Sequence, residues 1–217
     1  MNKLQQIINE EITNLSLGFV DTNMDLPGER LEEDLIVKPD IPNTMSFYHG
    51  GNLDRYDDSL SQKKGRYQYG AGLYLTTHYG TAEKYAKGSR KMYMVTVAKG
   101  NDIQYSSINV KPAIDFVNNY TIASKRKEIL YYIDKYKTED TIKAYIFNNL
   151  LINHDAIKPS NTKALRDFWV DNNIDYEIIY NAFGWGEDMM VLFNMYKIVQ
   201  SIIIKPKDTI KDYLINN

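Results

Sequence analysis

Apolar positions recur at Leu4, Ile7, Ile8, Ile12 and Leu15, a spacing that lines one face of a helix and predicts one over residues 3–15. Leu26-Pro27-Gly28-Glu29 through Pro42 then mixes proline and glycine with acids and reads as an extended lead-in. From Met45 the period changes. MSFYHGG predicts a short strand closing on a glycine pair, GLYLTT (72–77) a second strand, and KMYMVTVAKG (91–100) a third with clear period-2 alternation. Helical spacing returns over 122–136, 139–152 and 161–171, with Thr138, Thr141 or Asn161 available as caps and Pro159 as punctuation. Leu165, Phe168 and Trp169 fall on one face there and are expected in the core. The tail reverts to strands: YEIIY (176–180), MMVLF (189–193) and IVQSIIIKP (198–206) are rich in β-branched and aromatic residues. Strands, then helices, then strands imply an α+β fold rather than a parallel βαβ sheet. The expected organisation is a segment 1–44, a helix with an acidic lead-in, followed by a domain over 45–217 with a helical insertion at about 119–172.

Composition narrows the chemistry. With 217 residues, 43% hydrophobic and 25% charged, the chain has the makings of an ordinary globular core and excludes a disordered or collagen-like one. It contains no cysteine, which excludes disulfides, thiolate nucleophiles, zinc–thiolate sites and iron–sulfur clusters and suits a reducing compartment. Acids interrupt the N-terminal apolar positions, and no window approaches the ~18 apolar residues of a membrane span, so a cytoplasmic protein is expected. Tyrosine is over-represented, 18 copies against 7 Phe and 2 Trp; together with abundant Asn, Ile and Lys this matches an AT-rich coding sequence.

The net charge of −2 hides a gradient. Residues 1–60 hold 12 acids against Lys3, Arg30, Lys38 and Arg55, whereas residues 61–100 hold eight bases against Glu83 alone. Lys63, Lys64 and Arg66, followed by Lys84, Lys87, Arg90 and Lys91 on a short helix and turn, form a block suited either to solvation or to an anionic phosphate. No helix-turn-helix, zinc-finger or RNP pattern accompanies it, so duplex binding is not expected.

Three motifs carry candidate chemistry. Tyr48-His49-Gly50-Gly51 closes the first strand, where glycine lets backbone approach a ligand and the imidazole can bond a sugar hydroxyl or a carboxamide. Gly70 and Gly72 open a strand with no helix at the required place, so they are not a dinucleotide fingerprint. Tyr74 on that strand and Tyr85, eleven residues later on a helical turn, can flank a planar cation if the helix folds back over the strand.

In combination, FYHGG, GAGLYLTT, TAEKYA and the late MMVLFNMYKIV strand resemble, in order and spacing, the ADP-ribosyltransferase superfamily. The resemblance is to its H-Y-E branch, the diphtheria-toxin and poly(ADP-ribose) polymerase-like enzymes, and within it to the small transferase domains of phage and mobile-element proteins. It covers residues 45–100 strongly and 164–204 weakly. It implies a split β-sandwich with NAD in the cleft as co-substrate. It further implies that His49 holds the adenosine-side ribose and the Gly50 backbone grips the carboxamide, that Tyr74 and Tyr85 sandwich the nicotinamide, and that Thr76 or Thr77 completes the carboxamide contacts. A carboxylate would face the oxocarbenium-like state as nicotinamide leaves.

At that last position the chain departs from the pattern. Aligning the late strand puts Met189 where a glutamate should stand, with Glu187 and Asp188 just upstream after Gly184-Trp185-Gly186; a bulge or loop would have to bring one of them into the cleft. The implied activity is transfer of ADP-ribose to a macromolecule, a protein ahead of a nucleic acid. An NAD glycohydrolase, or a degenerate module that binds NAD or ADP-ribose without turnover, are the alternatives. His78 reads as a surface or cleft-rim residue and His154 as structural. No two of the three histidines have metal-ligand spacing, so no metal is expected.

Overall fold

The computed structural model describes residues 41–56, 69–86, 91–182 and 186–204. The expected helix at 3–15 and most of the lead-in after it, the basic residues Lys63, Lys64, Arg66, Lys87 and Arg90, and the pair Gly184-Trp185 lie outside them.

The fold is mixed α+β. Strands β1 (Thr44–Gly50), β2 (Leu73–Thr76), β3 (Met92–Ala98), β6 (Tyr176–Ile179), β7 (Met189–Leu192) and β8 (Ile198–Ile204) form one sheet in the order β6-β7-β2-β1-β3-β8, every pairing antiparallel. A two-stranded ribbon, β4 (Ser107–Asn109) with β5 (Thr141–Lys143), stands apart. Helix α1 (Tyr79–Ala86) joins β2 to β3; α2 (Val110–Tyr120), α3 (Ala123–Tyr136), α4 (Ala144–Asn153) and α5 (Thr162–Asp171) fill the stretch between β3 and β6.

Alternation divides the strand residues between two faces. Phe47, Leu73, Leu75, Tyr93, Val95, Val97, Ile178, Met190 and Leu192 bury in one cluster, contributed by five strands. On the opposite face Val191 joins the core of helices α2–α5, centred on Trp169, whose ring lies 6.0 Å from both Phe147 and Phe193. The expected face Leu165–Phe168–Trp169 is buried there. Beside it Tyr48 and Met92 pack with Ala82 and Ala86 of α1. Helices α4 and α5 each stop at a left-handed residue, Asp155 (φ 47) and Asn173 (φ 58), followed by a return bond to the last turn, Ala156 N to Leu151 O and Ile174 N to Trp169 O, both 2.9 Å.

Three expectations change. Helix α2 lies outside the helical spans that the apolar spacing predicts; its Pro112 falls in the first turn, where no intrahelical N–H bond is lost. The helix expected from 139 begins at 144, since Thr141–Lys143 pairs with Ser107–Asn109 instead. Thr141 thus sits in a strand, Thr138 is bridged to it, and Asn161, though in the N-cap position of α5, donates to Tyr120 O at 2.6 Å and accepts from no helix N–H.

Helix α1 rests directly on β1. A Cβ added at Gly50 would lie 1.7 Å from Ala82 O and 2.8 Å from Ala86 N, both backbone atoms, so neither partner yields without moving the helix. Gly50→Ala is expected to lower stability by ~1–3 kcal/mol or more through this clash. Gly80→Ala, in the same helix with nothing within 4 Å of the new methyl, is expected to raise it by ~0.5–1 kcal/mol. Urea unfolding of the two variants side by side checks both signs.

Candidate active site

Strand β2 is the element on which the separated motifs meet. It joins β1 through one Cα pair, Tyr48 with Thr76, whereas β1 and β3 pair along their full length from Thr44–Ala98 to Gly50–Met92. Toward Gly50 and Tyr74 the ladder stops, and His49 reaches across to β2: its Nδ1 lies 2.9 Å from Tyr74 O. A carbonyl only accepts, so Nδ1 carries the proton and, in the neutral ring, Nε2 keeps its lone pair. The ring sits 6.3 Å from that of Tyr93 and next to Gly51, whose φ of +146° favours glycine and where an added Cβ would lie 3.1 Å from Nε2.

Tyr74 points to the helical face of the sheet, half-buried against the α2–α5 core, and its phenol is fixed at the turn before the strand: it donates to Gly70 O (3.0 Å) and accepts from Tyr69 N (3.1 Å). Tyr85 stands 61% exposed in the last turn of α1, beside the two alanines that seat this helix on Gly50. The helix thus lies against β1 through Ala82 and Ala86.

Both candidate acids are bonded to the end of β2, through the two threonines. Thr76 Oγ1 donates to Glu187 Oε1 at 2.5 Å, and Thr81 Oγ1, from α1, donates to Oε2 at 3.0 Å. His78 Nδ1 lies 3.4 Å from the same Oε2. Glu187 is 3% exposed, so a buried carboxylate is met by donors on both oxygens. Thr77 Oγ1 accepts from Asp188 N at 2.9 Å and lies 3.3 Å from Asp188 O; the Asp188 carboxylate itself turns away and accepts from Asn181 N (2.9 Å), bracing the β6–β7 turn. No bulge is involved: the ladder continues past Met189 with Thr77 N bonded to Asp188 O at 2.9 Å, and alternation alone sets Glu187 on the face of Met189 and Val191. The Thr76 and Thr77 hydroxyls, expected at a carboxamide, are engaged with the two acids instead.

A second buried acid escaped sequence reasoning. Glu177, on β6 opposite Val191 and on the face of Tyr74, is 4% exposed, accepting from Gln104 Nε2 (3.0 Å) and Asn148 Nδ2 (3.1 Å). Burial, reinforced by the nearby Asp102 charge, pushes its carboxyl up to about 8. Burial likewise raises Asp102, and the Tyr69 phenol is raised by burial and by Glu177. Asn148 also donates to Tyr69 O at 3.0 Å, so the helical insertion is wired to the Tyr74 turn. The available signal was a lone acid inside YEIIY. For Thr81 it was a hydroxyl three residues beyond His78, on the same helical turn. His154 is structural as expected, ending α4 with Nδ1 3.3 Å from Glu128.

No protein-family model, curated protein or solved structure matches the chain. Among the described residues, no helix is long and apolar enough to cross a membrane.

The elevated Glu177 carboxyl has a consequence for stability. The folded state holds this proton up to about pH 8, while the unfolded chain releases it near the ordinary value of 4.5, so stability falls as pH rises between those values. Glu177→Gln removes the titration and keeps one accepting oxygen for Asn148, while the Gln104 amide turns its own oxygen to the new NH2. The variant is expected to lose most of that slope and, at alkaline pH, to exceed the parent protein by on the order of a few kcal/mol, read from urea unfolding across the pH range.

Proposed function

We propose that this chain is an NAD-dependent ADP-ribosyltransferase that moves ADP-ribose from NAD to a macromolecular acceptor, a protein, and releases nicotinamide. The observation that carries the reading is the convergence on β2 of motifs far apart in sequence. His49 bonds the carbonyl of Tyr74, and Glu187 bonds the hydroxyl of Thr76, two residues along. In this reading the antiparallel sheet is the split sandwich of that superfamily, with the cleft where the β1–β2 ladder stops. His49 offers Nε2 to the ribose, Gly50 its backbone to the carboxamide, and Tyr74 and Tyr85 their faces to the nicotinamide cation. Glu187 supplies the negative charge that favours the oxocarbenium-like state; Thr76 and Thr77 hold the acids in place. Asp188, with its carboxylate on Asn181, braces the turn behind them.

A second reading, a module that binds NAD or ADP-ribose without turning it over, is favoured by the depth of Glu187 and by the methionine at position 189. The two part on a direct assay: nicotinamide release from NAD by the purified protein, with labelled NAD and a cell lysate in a parallel reaction. Under the transferase reading nicotinamide appears and protease-sensitive material becomes labelled. His49→Ala abolishes both signals, and Glu187→Gln lowers them by on the order of 10²–10³. Nuclease-sensitive label would make the acceptor a nucleic acid, and release without label a glycohydrolase. NAD binding without release would establish the non-catalytic module.

A further inference from the structure

Glu187 is nearly sealed: 3% exposed, with Thr76 on one oxygen and Thr81 on the other. The group beside it that does reach solvent is His78, whose side chain is 28% exposed against 4% for the glutamate, with Nδ1 3.4 Å from Oε2. Its backbone is pinned on both sides. His78 N donates to Thr76 Oγ1 at 3.0 Å, and His78 O accepts from Ala82 N at 3.2 Å in the first turn of α1. A carboxylate facing Nδ1 favours the tautomer with its proton there, which leaves the Nε2 lone pair free to take a proton. A buried carboxylate orienting a partly exposed imidazole is the arrangement that general-base catalysis uses.

Resting on the transferase reading above, we propose that His78 is the general base that deprotonates the acceptor, and that the acceptor is a hydroxyl, in water or on a protein side chain, rather than a carboxylate. In the step, the bond from the ribose anomeric carbon to the nicotinamide nitrogen breaks with its electron pair passing to nitrogen. The acceptor oxygen bonds to that carbon, and its proton passes to His78 Nε2. A carboxylate acceptor would arrive without a proton to remove and would leave the base idle.

An anionic nucleophile tests this, because azide needs no deprotonation and yields ADP-ribosyl azide plus nicotinamide. With NAD alone and water as acceptor, His78→Ala and His78→Gln are each expected to release nicotinamide ~10²–10⁴-fold more slowly than the parent protein. Added azide should restore release in both, with ADP-ribosyl azide found by mass spectrometry, while barely accelerating the parent. His154→Ala, away from the site, serves as the control and should behave as the parent does. Unchanged hydrolysis in the His78 variants, or loss that azide does not restore in either, would overturn the assignment and leave His78 as a structural partner of Glu187. A parent protein inert toward NAD would overturn the transferase reading itself, and this inference with it.

Discussion

The ladder between β1 and β2 is a single residue pair, and much of the candidate site follows from what happens where it stops. A ladder that stops leaves backbone carbonyls without their donors, and an unsatisfied buried carbonyl costs ~1–3 kcal/mol. At Tyr74 the donor is His49 Nδ1. A side chain thus takes over where the backbone ladder ends, which holds the imidazole in one orientation. Gly50 completes the arrangement from the other side, since only a residue without Cβ lets α1 lie against β1 there. The histidine and Tyr74 are therefore tied to one backbone feature.

Strand alternation then decides which acid joins them. Moving two residues along β7 preserves the face and shifts a side chain by ~6.6–6.8 Å, so Glu187 stands one pleat beyond Met189 and still on its side of the sheet. One residue further on, Asp188 has the opposite parity and serves the turn. The two buried glutamates of this face differ in surroundings. Glu187 meets two hydroxyls and an imidazole, whereas Glu177 is kept in its protonated form by burial and then by the charge of Asp102, against the pull of its two amide donors. One face of one sheet thus presents both acids on adjacent strands, Glu187 held by hydroxyl donors and Glu177 kept protonated.

Much of this was legible in the sequence wherever a short-range rule governed it. The six strands follow from alternation and β-branched content, and the Leu165–Phe168–Trp169 face from a 3.6-residue period. Long-range pairing was not legible. Nothing local separates Thr141–Lys143 as a strand from the helix it adjoins, because its partner lies over thirty residues upstream. The motif residues His49, Gly50, Tyr74, Thr76, Thr77, Tyr85, Glu187 and Asp188 could be picked out one by one. What each touches could not: that Thr76 holds Glu187 and Thr77 holds Asp188 depends on the β2–β7 register. Glu177 stayed hidden because a lone acid in a strand ordinarily marks the solvent side, and here helix α4 covers it.

That cover gives the helical insertion a part in the site beyond packing. Asn148 of α4 donates to Tyr69 O and to Glu177, Tyr69 N donates to the Tyr74 phenol, and that phenol donates to Gly70 O. The chain of bonds runs from the centre of the insertion to the aromatic ring proposed to meet nicotinamide. Each link is half or fully buried, where hydrogen bonds are strong and a missing partner is costly. Displacement of α4 would therefore release the Tyr69–Gly70 turn before it disturbed the sheet, and the ring of Tyr74 would lose its anchor while His49 kept hold of the backbone carbonyl beneath it. The orientation of the platform and the opening of the cleft are set by different elements, the first by the insertion and the second by β1.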